Sequence, residues 1–227
     1  SGVADALTLT VEAASGAEDS AIALDITSSL SDTDGSETLS LTVTGIPDGA
    51  ILSAGTLNDD GSVTLTPGQL DGLTITPPAD SSADFNLTIT ATTSEDGTSA
   101  TTSSTLEVTV SGVADTPSVT VNAASGAEDS AIALDITSSL SDTDGSETLS
   151  LTVTDIPEGA ILSAGTLNDD GSVTLTPEQL DGLTITPPAD SSADFNLTVT
   201  ATSSEDGTQA TTSSTLEVTV SGVADTP

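Results

Sequence analysis

The chain has 227 residues, of which 36 are Asp or Glu and none is Lys, Arg or His, so its formal net charge is -36. Such a polyanion excludes binding to nucleic acid, whose phosphates require Lys and Arg, and adhesion to an anionic membrane surface, which leaves cations as its natural partners. The absence of Cys excludes disulfides and thiolate metal sites, and the absence of Lys excludes Lys–Asn isopeptide crosslinks.

The sequence repeats with a period of 110 residues, and Ser1 to Val110 match Ser111 to Val220 at all but 11 positions. Two domains are therefore expected, at 1–110 and 111–220, joined by a linker of about 111–117. Residues 221–227 read as the start of a third repeat, so the chain looks like a section of a longer array. Neither an amino-terminal export signal nor an apolar run of about 18 residues is present, so no direct membrane insertion is expected.

Within one repeat the elements in chain order are all-β. Leu7 to Val11 and Ile22 to Ile26 alternate apolar with polar residues as the first strands, and Leu39 to Val43 follows an acidic loop. Ile51-Leu52, Val63 to Leu65 and Leu73 to Ile75 are short strands, with Asn58-Asp59-Asp60-Gly61 as a hairpin turn between two of them. Thr66-Pro67-Gly68-Gln69 carries a capping-box pattern that supports about one helical turn. Phe85 to Ala91 and Leu106 to Val110 are the longest alternating strands. Short strands with turns every 8–12 residues or so spell a β-sandwich. The core is thin, because Phe85 and Phe195 are its only aromatics.

The densest acidic phrase is Ser31-Asp32-Thr33-Asp34-Gly35-Ser36-Glu37, which returns as Ser141 to Glu147. Three carboxylates with a turn glycine and small hydroxyl residues offer the hard oxygen donors that Ca²⁺ takes six to eight of. No side-chain cation exists to relieve their repulsion, so Asp32, Asp34 and Glu37, with Asp142, Asp144 and Glu147, are expected calcium ligands. The spacing is not that of an EF-hand. Asp59-Asp60 and Glu95-Asp96 read instead as solvated turn chemistry. The Thr-x-Thr pairs read as ordinary strand surface rather than an ice-binding array, and the Asn86-Leu87-Thr88 sequon lies within an expected strand. Catalysis is argued against by the lack of His, Cys, Lys, Arg and Tyr, which leaves carboxylates and hydroxyls alone.

With its surroundings this loop resembles the cadherin-like repeat. That resemblance implies two tandem Ig-like or cadherin-like Greek-key β-sandwiches in an elongated arrangement, with calcium enclosed between neighbours. It implies ligands at Glu18 and Asp19, at Asp32 and Asp34, at Asp80 or Asp84, and at linker Asp115. The second repeat supplies Glu128, Asp129, Asp142, Asp144, Asp190, Asp194 and Asp225. The phrases Glu18-Asp19-Ser20, Ser31 to Ser40, Gly45-Ile46-Pro47-Asp48-Gly49-Ala50 and Asp84-Phe85-Asn86-Leu87-Thr88 are similar to those of tandem extender repeats in giant RTX adhesins of Gram-negative bacteria. This implies a monomeric stalk segment on the outer cell surface, exported by type I secretion. Its partners would be neighbouring repeats of the same chain, and it would fold in extracellular calcium. An alternative role is an adhesive module that binds a carbohydrate or a protein.

Overall fold

The computed structural model describes residues 4–31 and 35–224. The expected ligands Asp32, Asp34 and Asp225 lie outside the described residues. By its contacts the chain divides into two units, Ser1–Gly112 and Val113–Pro227.

In the first unit the strands are β1 (Leu7–Val11), β2 (Ala14–Ala17), β3 (Ile22–Ala23), β4 (Ile26–Leu30), β5 (Thr38–Thr44), β6 (Ile51–Leu52), β7 (Thr56–Leu57), β8 (Val63–Leu65), β9 (Thr74–Thr76), β10 (Phe85–Glu95) and β11 (Thr98–Ser111). One layer is a sheet in the order β2-β11-β10-β5-β8-β7. The opposing layer is made of β3-β9-β6 and the pair β1-β4. Strand β5 neighbours β10 although the strands between them in sequence visit both layers, which is the crossover of a Greek-key sandwich. The second unit repeats the same pairing order. Among the described residues no helix is long and apolar enough to cross a membrane.

The period-2 pattern explains the sandwich. In β10, Leu87, Ile89, Ala91 and Thr93 face inward and are buried, while Asn86, Thr88, Thr90 and Thr92 face outward. Leu41, Val43, Leu65, Leu106 and Val108 join them from the large sheet, and Ile22, Leu24, Ile26, Leu73 and Ile75 close the core from the other layer. Each such side chain, fully buried, contributes about 1.5–3 kcal/mol. The outward residues form hydroxyl rows. Thr42, Thr90 and Ser103 stand opposite one another across three strands, and Thr90 Oγ1 lies 2.8 Å from Ser103 Oγ. That places the Thr-rich pattern on the strand surface.

Three local differences from the sequence reading have physical causes. Ile22 to Ile26 is not one strand but two, because Leu24 N–H turns to the carbonyl of Leu73 while Ile26 pairs with Val11. Strand β2, Ala14-Ser15-Gly16-Ala17, has no β-branched residue to announce it, and it is held by parallel pairing with Val108 to Ser111. Ser111, read as linker, is consequently the last residue of β11. Its carbonyl accepts the Glu18 N–H at 3.0 Å, and Ser221 accepts from Glu128 at 2.9 Å in the same way. The expected helical turn is present as a 3-10 turn over Pro67–Gln69, where Gln69 Oε1 accepts the Thr66 N–H at 2.8 Å.

One turn offers a sharp test of this packing. Gly165 has φ +103, and a Cβ there would lie 2.4 Å from Val173 Cγ1 and 2.9 Å from the Thr174 carbonyl oxygen; Gly171 has φ +84 with open space around it. Gly171→Ala should cost about 1–2 kcal/mol for the left-handed backbone alone. Gly165→Ala should cost clearly more, and chemical denaturation of the two variants measures the difference.

Candidate metal centre

Strand length sorts the acidic residues. Asp194 immediately precedes, and Glu205 ends, the 11-residue strand Phe195–Glu205, so the two stand roughly 35 Å apart at about 3.3 Å per residue. Within each unit the ligand set implied by the cadherin-like resemblance therefore falls into two groups at opposite ends. Glu18, Asp19, Asp80 and Asp84 belong to the end where β11 finishes, as do Glu128, Asp129, Asp190 and Asp194 at the end of Thr208–Ser221. Asp115, Asp142, Asp144 and Glu147 belong to the end where the chain enters the second unit.

At the exit end, much of the acidity is used to hold backbone. Asp84 Oδ1 accepts the Val110 N–H, and Asp194 Oδ1 the Val220 N–H, each at 2.8 Å. Glu128 Oε1 accepts from Val223 N at 2.7 Å. Asp19 and Asp80 both adopt left-handed backbone, with φ 53 and 52, and the Asp80 N–H donates to Asp19 Oδ1 at 3.1 Å. Their carboxylates approach within 4.8 Å while exposed to solvent. Asp129 and Asp190 repeat this arrangement, with a donor distance of 3.0 Å.

The entry end of the second unit is built differently. Asp142 Oδ1 accepts the Asp144 N–H, and Asp144 Oδ1 accepts the Ser146 N–H, both at 2.7 Å, so consecutive Asx turns carry the chain through Gly145 at φ +97. Glu147 Oε1 accepts the backbone N–H of Asp115. Ser203 donates to the Asp115 carbonyl, Ser141 to the Thr116 carbonyl, and the Ala114 N–H to Thr208 Oγ1 at 2.7 Å. The incoming segment is thus latched by side chains of the loop and of the last hairpin.

Around this latch Asp142, Glu147 and Glu205 are 2%, 7% and 5% exposed. Glu147 Oε2 and both carboxylate oxygens of Glu205 are buried with no hydrogen-bond partner. Oxygens of Asp142 and Glu205 lie within 4.8 Å of one another, a separation at which two unit charges repel by about 3 kcal/mol at an effective dielectric near 20. Burial raises the pKa of Glu147. The Asp115 N–H opposes that shift, and the carboxylates of Asp115, Asp142 and Glu205 add to it. Buried, unpaired carboxylate oxygens call for a positive charge. The donor set is oxygen throughout, which fits a hard cation such as Ca²⁺ and no thiolate- or imidazole-seeking metal.

The first unit carries the same latch. Glu37 accepts from the Asp5 N–H, the Glu37 Oε2 atom is buried without a partner, and Thr93 Oγ1 donates to the Asp5 carbonyl at 3.1 Å. Asp60 and Asp170 are turn residues. Their Oδ1 atoms accept from both the hydroxyl and the backbone N–H of Ser62 and Ser172, and those bonds lower their pKa values. In the Glu95-Asp96 turn Asp96 is exposed and Glu95 half-buried, whereas Glu205, at the position equivalent to Glu95 in the second unit, is buried. The signal was available in the pattern, because counting by twos from Leu87 through Ile89, Ala91 and Thr93 brings Glu95 to the inward face.

No protein-family model matches the chain, and no curated protein matches its sequence. Among solved structures it is similar to Drosophila N-cadherin EC1-4 at 16% identity and a TM-score of 0.44, covering 96% of this chain and 50% of that one. It is also similar to the titin domains Z1Z2 in complex with telethonin, at 15% identity and a TM-score of 0.35, covering 98% of this chain and all of that one. Murine CEACAM1b matches at 13% identity and a TM-score of 0.32, over 94% of this chain. The chain spans half the length of the N-cadherin fragment.

The raised pKa of Glu147 sets a pH dependence in the absence of divalent cations. The folded chain keeps this proton above the usual value of 4.5, so the associated stability is complete below that pH and declines as pH rises through the raised value. In chelator, the melting temperature of the native chain should fall more steeply above pH 4.5 than that of Glu147→Gln, whose amide oxygen can still accept from Asp115. Parallel pH profiles would mean that Glu147 carries no such strain.

Proposed function

We propose that the chain is a pair of calcium-stabilised structural repeats from the stalk of a bacterial surface adhesin. The observation that carries this reading is the set of buried carboxylate oxygens on Glu147 and Glu205 in a chain that contains no Lys, Arg or His. A bound divalent cation neutralises them, and because it binds the folded unit it stabilises the fold by mass action. Two near-identical units, each with its own aliphatic core and the same latch, suit a part whose purpose is length rather than recognition. In this role the repeats hold a distal ligand-binding region away from the cell, and neighbouring repeats of the same chain are the partners.

The resemblance to RTX extender repeats supplies the setting, which is export by type I secretion to the Gram-negative outer surface. Free calcium is scarce in the cytosol, so repulsion at the acidic ends keeps the chain loose enough to thread a secretion channel. Millimolar calcium outside then completes the fold.

Thermal melting of the chain in millimolar calcium and in chelator tests the reading. Calcium at about a hundred times its dissociation constant adds about 2.7 kcal/mol, which corresponds to a rise of roughly 10 °C or more for a domain of this size. Asp142→Asn with Asp144→Asn should remove more of that rise than Asp169→Asn with Asp170→Asn. Equal melting temperatures in the two buffers would overturn the proposal.

A further inference from the structure

Apart from two valines, the large apolar side chains exposed among the described residues are Ile51 and Leu57 in the first unit, at 67% and 73%, and Ile161 and Leu167 in the second, at 68% and 73%. Each pair lies on edge strands. Ile161–Leu162 ends the three-stranded layer and Thr166–Leu167 ends the six-stranded one, with Ser163 to Gly165 crossing between them. A groove of about 470 Å³ opens at this corner, lined by Ile161, Leu162, Leu167 and Val173. Two hydrogen-bonded turns complete it. In one the Ala160 N–H donates to the Pro157 carbonyl at 2.9 Å, and in the other the Gly171 N–H donates to the Asn168 carbonyl at 3.1 Å while Asn168 Nδ2 donates to Ser172 Oγ at 2.9 Å. The same corner of the first unit holds a groove of about 460 Å³.

These turns carry acids. Asp48 and Asp60 both line the first groove, and Glu158 lines the second. Asp60 and Asp170 accept from a Ser hydroxyl and a backbone N–H, which lowers their pKa values and keeps them ionised at neutral pH. An apolar lining with ionised carboxylates beside it asks for a ligand that is apolar and positively charged at once.

We propose that this groove docks an extended segment of a partner protein in which a large apolar side chain is flanked by Arg or Lys. The apolar side chain covers Leu57 or Leu167, and the flanking cation meets the turn carboxylates. Charge complementarity selects this occupant. A second copy of the chain brings no cation and a further net charge of -36, so it is repelled. An uncharged apolar ligand would leave the carboxylates facing it without compensation. The groove adds recognition to the stalk and does not depend on calcium bound elsewhere.

The test is fluorescence anisotropy of a short fluorescein-labelled peptide of Leu, Arg and Ser, titrated with the whole chain in millimolar calcium and physiological salt, which screens attraction to the distant acids. Its companions are an equally charged peptide with Ser for every Leu and a neutral one with Gln for every Arg. The native chain should bind the Leu-Arg peptide at least about tenfold more tightly than either. Leu57→Ser with Leu167→Ser should erase the margin over the Leu-free peptide, and Asp48→Asn with Glu158→Gln should weaken the Leu-Arg peptide several-fold. Glu107→Gln with Glu217→Gln, a charge-matched control exposed on the outer face of the last strands, should bind like the native chain. No margin in the native chain, or one that survives the leucine variant, overturns the proposal. Equal binding of the Arg-free peptide would make the occupant an uncharged apolar ligand, and native self-association that the leucine variant abolishes would make it a second copy; either result also overturns it. If the leucine variant fails to fold, the acid variant decides, and an unchanged affinity there sinks the assignment.

Discussion

Charge without a counter-charge is the constraint on which the entry end depends. Elsewhere in proteins a buried Glu meets an Arg or Lys, but this chain has neither, so Glu147 Oε2 and both oxygens of Glu205 are buried with no side-chain cation to face. Glu147 is also the group that grips the Asp115 backbone, and the Ser203 hydroxyl in the strand before Glu205 grips the Asp115 carbonyl. The carboxylates that repel one another are thus the ones that order the incoming segment. A solution cation bound there, as proposed above, would tie folding of this end to the ionic medium.

The rest of the sandwich is kept free of that conflict. Like charges directly opposite one another on a sheet destabilise it, and the large sheet avoids them by presenting hydroxyls. Thr38 to Thr44, Thr88 to Ser94 and Ser99 to Thr105 pair Thr and Ser across their outer faces, while Leu41, Val43, Ile89 and Ala91 are buried on the inner face. A polyanion can keep a regular sheet in this way, provided its acids are exported to turns and strand ends. The aliphatic core then needs no aromatic bulk, since the two layers close on one another over β-branched and leucine side chains.

The strands with strict alternation were legible from the sequence because burial on one face writes itself into every second residue. Leu7 to Val11, Ile51-Leu52 and Val63 to Leu65 keep the same bounds in the structure. Strand β2 was not legible, since Ala14 to Ala17 is small rather than apolar. It is small for a reason found only in three dimensions: a Cβ on Gly16 would sit 2.7 Å from Ile22 Cγ1. The acidic residues were legible as a class but not as groups. Sequence proximity drew attention to Asp142, Asp144 and Glu147, whereas Glu205 lies 58 residues beyond Glu147 and arrives only through the pairing of Thr148 with Ser204. Its inward phase on the strand was readable, yet the Glu-Asp-Gly turn signal after it masked the implication.

The two ends of a unit differ in how far backbone N–H groups meet their carboxylates. At the exit end Asp84, Asp194 and Glu128 each meet a backbone N–H and fix the course of the final strand, while Glu18 keeps one buried oxygen without a hydrogen-bond partner. At the entry end the N–H groups near Asp142 and Asp144 are consumed within the loop's own turns. Nothing among the described residues is left to meet Glu205. The carboxylate oxygens of Glu147 and Glu205 left unsatisfied there stand beside the segment through which the second unit receives its chain.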